Sequence, residues 1–157
     1  MRKYSLSSLL FTGLIKKTGQ MTRKTFLTIT SLIAGAVGTF ALIFPSVLQE
    51  SKGTSPNAAT YVWTSEVGLL LIAIGIVAFM VRGHQNSTTL KAFFLGNFII
   101  QIGLFFIELI AYLNGVITKL SGVLPNLTLH ILLAVGFVYY LLTMKTTNLK
   151  SDSYSRE

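Results

Sequence analysis

Residues 92–113 read AFFLGNFIIQIGLFFIELIAYL, 22 residues carrying a single carboxylate, Glu108, and no other charge. As a helix rising about 1.5 Å per residue, this stretch is about 33 Å long, enough to cross roughly 30 Å of hydrocarbon. Three more stretches have the same character, at about 26–48, 63–81 and 124–144. Lipid offers backbone groups no partners, so spanning segments are helices or closed barrels. A barrel shows short alternating segments, and these runs do not alternate. The sequence therefore predicts an all-α fold, a transmembrane up-and-down four-helix bundle over residues 23–145.

Composition agrees. Of 157 residues, 52% are hydrophobic and 11% charged, against about 25% charged in soluble domains. The absence of cysteine excludes disulfide exchange and thiolate metal sites, and with them a thiol oxidoreductase of the four-helix, quinone-linked kind. A net charge of +8 does not point to nucleic acid, because the basic residues flank the apolar runs, where they meet anionic headgroups. The lipid bilayer is the expected partner.

Charge asymmetry orients the bundle. Arg2, Lys3, Lys16, Lys17, Arg23, Lys24, Arg82, Lys91, Lys145, Lys150 and Arg156 fall on one side, and only Lys52 and Lys119 on the other. The positive-inside tendency then puts both termini in the cytoplasm, and the expected location is a plasma (inner) membrane. Tyr61 and Trp63 suit the aromatic belt at the outer end of the second span. In residues 1–22, Leu6, Leu9, Leu10 and Leu14 recur at helical spacing before Lys16 and Lys17, which suits an amphipathic helix on the inner surface. Equally, Met21-Thr22-Arg23-Lys24 reads as an ordinary amino terminus, which would make the preceding segment dispensable. The polar tail 146–157 is expected to be disordered.

Short loops make successive helices antiparallel neighbours. Small residues offer close-packing seams: Ser31, Gly35 and Thr39 on the first span, Gly68 and Gly75 on the second, Gly96 and Gly103 on the third.

Ionisable residues within spans are costly, about 2.5–3.5 kcal/mol on insertion scales, and normally face a bundle interior or a wet cavity. Three fall there: Glu66, Glu108 and His130. Counted from the span ends, each lies roughly 6–10 Å outward of the midplane. Asn97, Gln101, Leu104, Glu108 and Tyr112 succeed one another by three or four residues, so they share one helical face. Asn126 stands one turn before His130. Together these predict an outward-facing polar pocket between the second, third and fourth spans, with Trp63 at its mouth. There His130 would pair with Glu108 or Glu66, and two neighbouring carboxylates would share a proton. A plain interhelical hydrogen bond is the competing reading. A metal site from Glu66, Glu108 and His130 lacks any paired ligand spacing, so no metal is expected.

The layout resembles the DoxX-like group of small bacterial four-helix membrane proteins over roughly residues 25–144. The matching features are Pro45 ending the first span, Trp63, Glu66 and Gly68 opening the second, Arg82 closing it, and His130 early in a fourth span rich in Leu, Ala and Gly. The resemblance implies the four-helix fold and, through some relatives, a subunit of a membrane oxidoreductase or an accessory factor. It supplies no catalytic residues. The functional expectation is an accessory or binding protein whose pocket takes a small amphipathic ligand, lipid, quinone or proton. Alternatives are a membrane-embedded enzyme or oxidoreductase subunit, and a structural assembly factor working with a membrane protein partner or as a homo-oligomer. No cofactor is specified.

Overall fold

The computed structural model describes residues 21–145; the expectations for 1–20 and for the tail from 146 lie outside them. Among the described residues there are five helices: α1 Arg23–Ile43, α2 Pro45–Ser51, α3 Ala58–Val81, α4 Thr88–Leu113 and α5 Leu120–Thr143.

Local chemistry sets most of the boundaries. The Thr22 hydroxyl caps α1 by accepting from the Thr25 amide at 3.1 Å. The expected first span to Leu48 is broken instead at Phe44, whose φ of −124° and ψ of 53° leave the helical region. Pro45 is the cause, because its ring disfavours helical geometry in the preceding residue. Proline suits a first helical position, so Pro45 at once starts the short α2. The second span begins at Ala58, five residues before the expected Trp63. Asn57 and Thr60 form a capping box there, the Thr60 amide donating to Asn57 Oδ1 at 3.0 Å and the Asn57 amide to Thr60 Oγ1 at 2.7 Å. Ser87 caps α4 through the Leu90 amide at 3.1 Å. α5 contains Pro125, which has no N–H for the Ser121 carbonyl.

α1, α3, α4 and α5 have window mean hydropathies of 2.0, 2.2, 2.0 and 1.7, and at most 28% of any window is buried inside the protein. So much apolar surface turned outward requires an apolar solvent. The chain is a multi-pass membrane protein folded as an up-and-down bundle.

The helices associate in two pairs, α1 with α3 and α4 with α5. The first pair meets at glycines: a Cβ on Gly38 would stand 2.6 Å from the Gly68 carbonyl oxygen, and one on Gly68 would stand 2.7 Å from the Gly38 oxygen. Such approach of backbones drives association where lipid removes the hydrophobic incentive. The expected Ser31–Gly35 seam faces Gly75, whose Cβ would stand 3.0 Å from the Ser31 carbonyl oxygen and 3.3 Å from the Gly35 nitrogen, whereas the seams expected at Gly96 and Gly103 are not used this way, since a Cβ on either meets nothing within 4 Å. α4 instead buries Leu90, Phe94, Asn97 and Gln101. Short loops also do not make every successive pair neighbours, because α3 and α4 do not pack along their lengths.

The two pairs are joined at both ends. At the end holding Met21, the Arg23 guanidinium donates to Asn86 Oδ1 and to the His84 carbonyl, and Asn86 Nδ2 donates to the Lys145 carbonyl at 2.9 Å. Buried Phe26, Phe94 and Phe137 interlock there with Tyr140, ring centroids 5.1–6.1 Å apart. At the other end the Thr118 and Lys119 amides donate to the Lys52 carbonyl at 3.2 and 3.1 Å. The Thr118 hydroxyl donates to the Gly53 carbonyl at 2.8 Å, on a tight turn where Gly53 has φ of 75°.

Candidate functional site

Between these two closures the pairs stand apart around a cavity of about 430 Å³, within the roughly 300–1,000 Å³ usual for small-molecule sites. One helical turn beyond its lining residues Thr30, Asn97 and Leu133 stand Phe26, Phe94 and Phe137, which close one end. Leu48, Gln49 and Lys52, on α2 and the turn after it, close the other. The α3 and α4 walls are largely aliphatic, among them Leu71, Ile74, Ile100 and Leu104.

Polar groups interrupt this wall in two layers. In the layer nearest α2, the Lys52 ammonium forms an ion pair with Glu108 Oε1, and both side chains are largely withdrawn from solvent, at 15% and 14% exposure. Asn126 Nδ2 donates to the same oxygen at 3.1 Å. The second oxygen, Oε2, is buried and has no hydrogen-bond partner among the described residues. Gln49 belongs to this layer too: its amide donates to Thr64 Oγ1 at 2.6 Å and its oxygen accepts from Thr54 at 2.8 Å.

The second layer lies near the middle of the helices. His130 Nδ1 stands 2.7 Å from Gln101 Oε1. An amide oxygen only accepts, so Nδ1 carries the proton, and when the ring is neutral Nε2 is the acceptor. The Gln101 amide nitrogen has no partner among the described residues, so this layer offers one donor and one acceptor. Asn97, one turn further, is buried and donates to the Phe93 carbonyl of its own helix at 2.9 Å.

Gln101, Glu108, His130, Asn97, Asn126 and Trp63 all line the cavity. Glu66 does not: it is exposed and outside the lining. The reason is rotational. α3 turns Gly68 and Gly75 toward α1, and Glu66, two residues from Gly68, lies about 200° around the helix from it. Tyr112 is half-buried and also outside the lining. The expected partner of Glu108 is corrected as well: it is Lys52, while His130 pairs with Gln101, one to two turns deeper than Glu108. The three ionisable groups therefore do not share one level, the two carboxylates do not pair, and no three His, Cys, Asp or Glu converge among the described residues.

Lys52 and Gln49 were missed because they follow Pro45. Read as an extracellular loop, they had no claim on the interior until α2 folded back over the bundle end. The available signal was charge: Lys52 is one of two basic residues on the side otherwise depleted of them.

The wall is incomplete between α3 and α4. Trp63 and Val67 on α3, and Ile107 on α4, line the cavity yet are 66%, 49% and 65% exposed, so they form its rim. No family model, curated protein or solved structure matches this chain.

Proposed function

We propose that this protein is an accessory or binding component of a bacterial inner membrane that holds a small amphipathic molecule, such as a lipid or quinone, in the cavity between its helix pairs. The observation that carries the reading is an aliphatic cavity of about 430 Å³ with an ion pair and a His–Gln pair set in its wall. A bundle selected only for packing gains from filling such a space, because each unfilled methyl-sized volume costs about 1 kcal/mol. The orientation with cytoplasmic termini belongs to the same proposal. Arg23, Lys24, Arg82, Lys91 and Lys145 cluster at one end, whereas Lys52 is held by Glu108 and Lys119 by the Glu50 carbonyl at 3.1 Å.

Membership of the DoxX-like group is likewise part of the proposal. Pro45 breaks the first span, Gly68 sits at the α1–α3 crossing, and Trp63 and His130 line the cavity. Glu66 and Arg82 lie outside it.

The test is native mass spectrometry of the protein extracted in mild detergent. The expected result is a retained small molecule that is lost in Leu104→Trp, which fills the cavity. Retention of nothing by the wild-type protein, or of the same species by Leu104→Trp, would overturn the reading.

A further inference from the structure

Resting on that cavity as a binding site, we infer that its ligand is a membrane-dissolved amphipath with an uncharged, hydrogen-bonding head, entering sideways from the bilayer between α3 and α4. Two independent observations lead there, one geometric and one electrostatic.

The geometric observation concerns access. Both bundle ends are closed, one by the interlocked rings of Phe26, Phe94, Phe137 and Tyr140, the other by α2 and its hydrogen bonds to residues 118–119. The α1–α3 wall is sealed by backbone contact at Gly38 and Gly68, α4 packs on α5, and α1 meets α5 where Phe26 packs on Phe137 and Gly136. Trp63, Val67 and Ile107 are the most exposed lining residues, and they lie on the two consecutive helices that do not pack. A passage rimmed by Trp63 near the outer end of α3, and by Val67 and Ile107 about two to three turns in from the ends of their spans, opens into acyl chains. Its natural traffic is a molecule already dissolved in lipid.

The electrostatic observation concerns the head. Among the described residues Lys52 is the only lysine or arginine on the lining, and Glu108 already neutralises it. An anionic head would find no free lysine or arginine among the described lining residues, and Glu66, exposed on α3 next to the rim, repels it on approach. A cationic head would meet a carboxylate whose charge Lys52 already neutralises and whose second oxygen is buried. Both would be stripped of water without an ion to replace it, the costly case for a charge in an apolar site. An uncharged hydroxyl or carbonyl head needs only what the middle layer provides, a donor from the Gln101 amide and an acceptor at His130 Nε2.

Three photo-crosslinking probes test this, sharing one long diazirine-bearing chain and ending in a hydroxyl, a carboxylate or a trimethylammonium group. The full chain is reconstituted in phosphatidylcholine nanodiscs and labelled residues are mapped by peptide mass spectrometry. The hydroxyl probe is expected to label Leu71, Ile74 and Leu104 at least about tenfold more than either charged probe, the ratio that 1.4 kcal/mol of discrimination produces. Val67→Trp and Ile107→Trp, which narrow the rim from the lipid side without touching the core, are expected to reduce that labelling several-fold. Leu132→Trp, exposed on α5 outside the lining, controls for a general effect of surface tryptophan. Equal or stronger cavity labelling by a charged probe overturns the head assignment, with binding in the cavity left standing. Labelling indifferent to the rim variants overturns the lateral route. If no probe labels cavity residues, the binding reading itself falls and this inference with it.

Discussion

Removing the Lys52 ammonium should destabilise the bundle more than removing the charge it pairs with. In Lys52→Met, the Glu108 carboxylate stays where α4 holds it, with Asn126 as its remaining donor and Oε2 already unpartnered. Both side chains are about one-seventh exposed, so an intermediate dielectric applies, and at about 4 Å and an effective ε of about 20 the attraction is about 4 kcal/mol. Breaking fully buried pairs costs about 3–5 kcal/mol. The surviving Asn126 bond and the residual exposure reduce this, giving about 2–3 kcal/mol for Lys52→Met. Glu108→Gln differs. Glutamine keeps an acceptor for Asn126, and Lys52, on a flexible stem at the bundle end, can turn its charge toward water, so the loss is about 1 kcal/mol. In Lys52→Met/Glu108→Gln no charge is stranded, so the double variant should recover about 2 kcal/mol relative to the sum of the singles. The assay is reversible unfolding in mixed micelles of rising sodium dodecyl sulfate, followed by the fluorescence of Trp63, the only tryptophan. Lys52→Met within about 0.5 kcal/mol of wild type, or Glu108→Gln costing as much as Lys52→Met, would refute the ion pair as one of the links between the two halves.

Three more outcomes follow from named contacts. Gly38→Val and Gly68→Val each drive side-chain carbons into the opposing backbone and should cost about 1–3 kcal/mol in the same unfolding assay, whereas Gly103→Ala, whose Cβ meets open space, should be neutral or gain up to about 1 kcal/mol. Gln101→Leu removes the bond to His130 and should change stability by only about 0.6 kcal/mol while abolishing retention of the small molecule in native mass spectrometry; retention at wild-type occupancy would remove this pair from the site. Asn57→Ala breaks the capping box of α3 and should lower stability by about 1 kcal/mol, and an unchanged unfolding midpoint would show that α3 begins independently of it.

How much of this was legible beforehand differs by feature. The polar face of α4 was readable because a 3.6-residue period puts Asn97, Gln101, Leu104 and Glu108 on one side whatever the helix packs against, and Asn126 and His130 follow by the same rule on α5. The fate of Glu66 was not readable. Which face of α3 turns inward depends on where its backbone can approach α1 most closely, and Gly68 and Gly75 settle that in favour of the opposite side. Gly96 and Gly103 show the same limit, since a small residue permits close approach but does not say whether a partner is there.

The sequence by itself determined that the chain crosses a membrane, how many times, and which residues of each helix share a face. These follow from chain-local physics: backbone groups in lipid must pair within the segment, about 20 apolar residues are needed to cross, and helical geometry is periodic. Only the tertiary structure decided that the helices pair as α1 with α3 and α4 with α5, that Lys52 reaches Glu108, that His130 turns to Gln101, and that the wall opens between α3 and α4. Those outcomes depend on which surfaces meet after the break at Pro45 folds α2 over the bundle end. That is a competition between packings of similar composition, and hydrophobicity, nearly uniform along the spans, does not distinguish them.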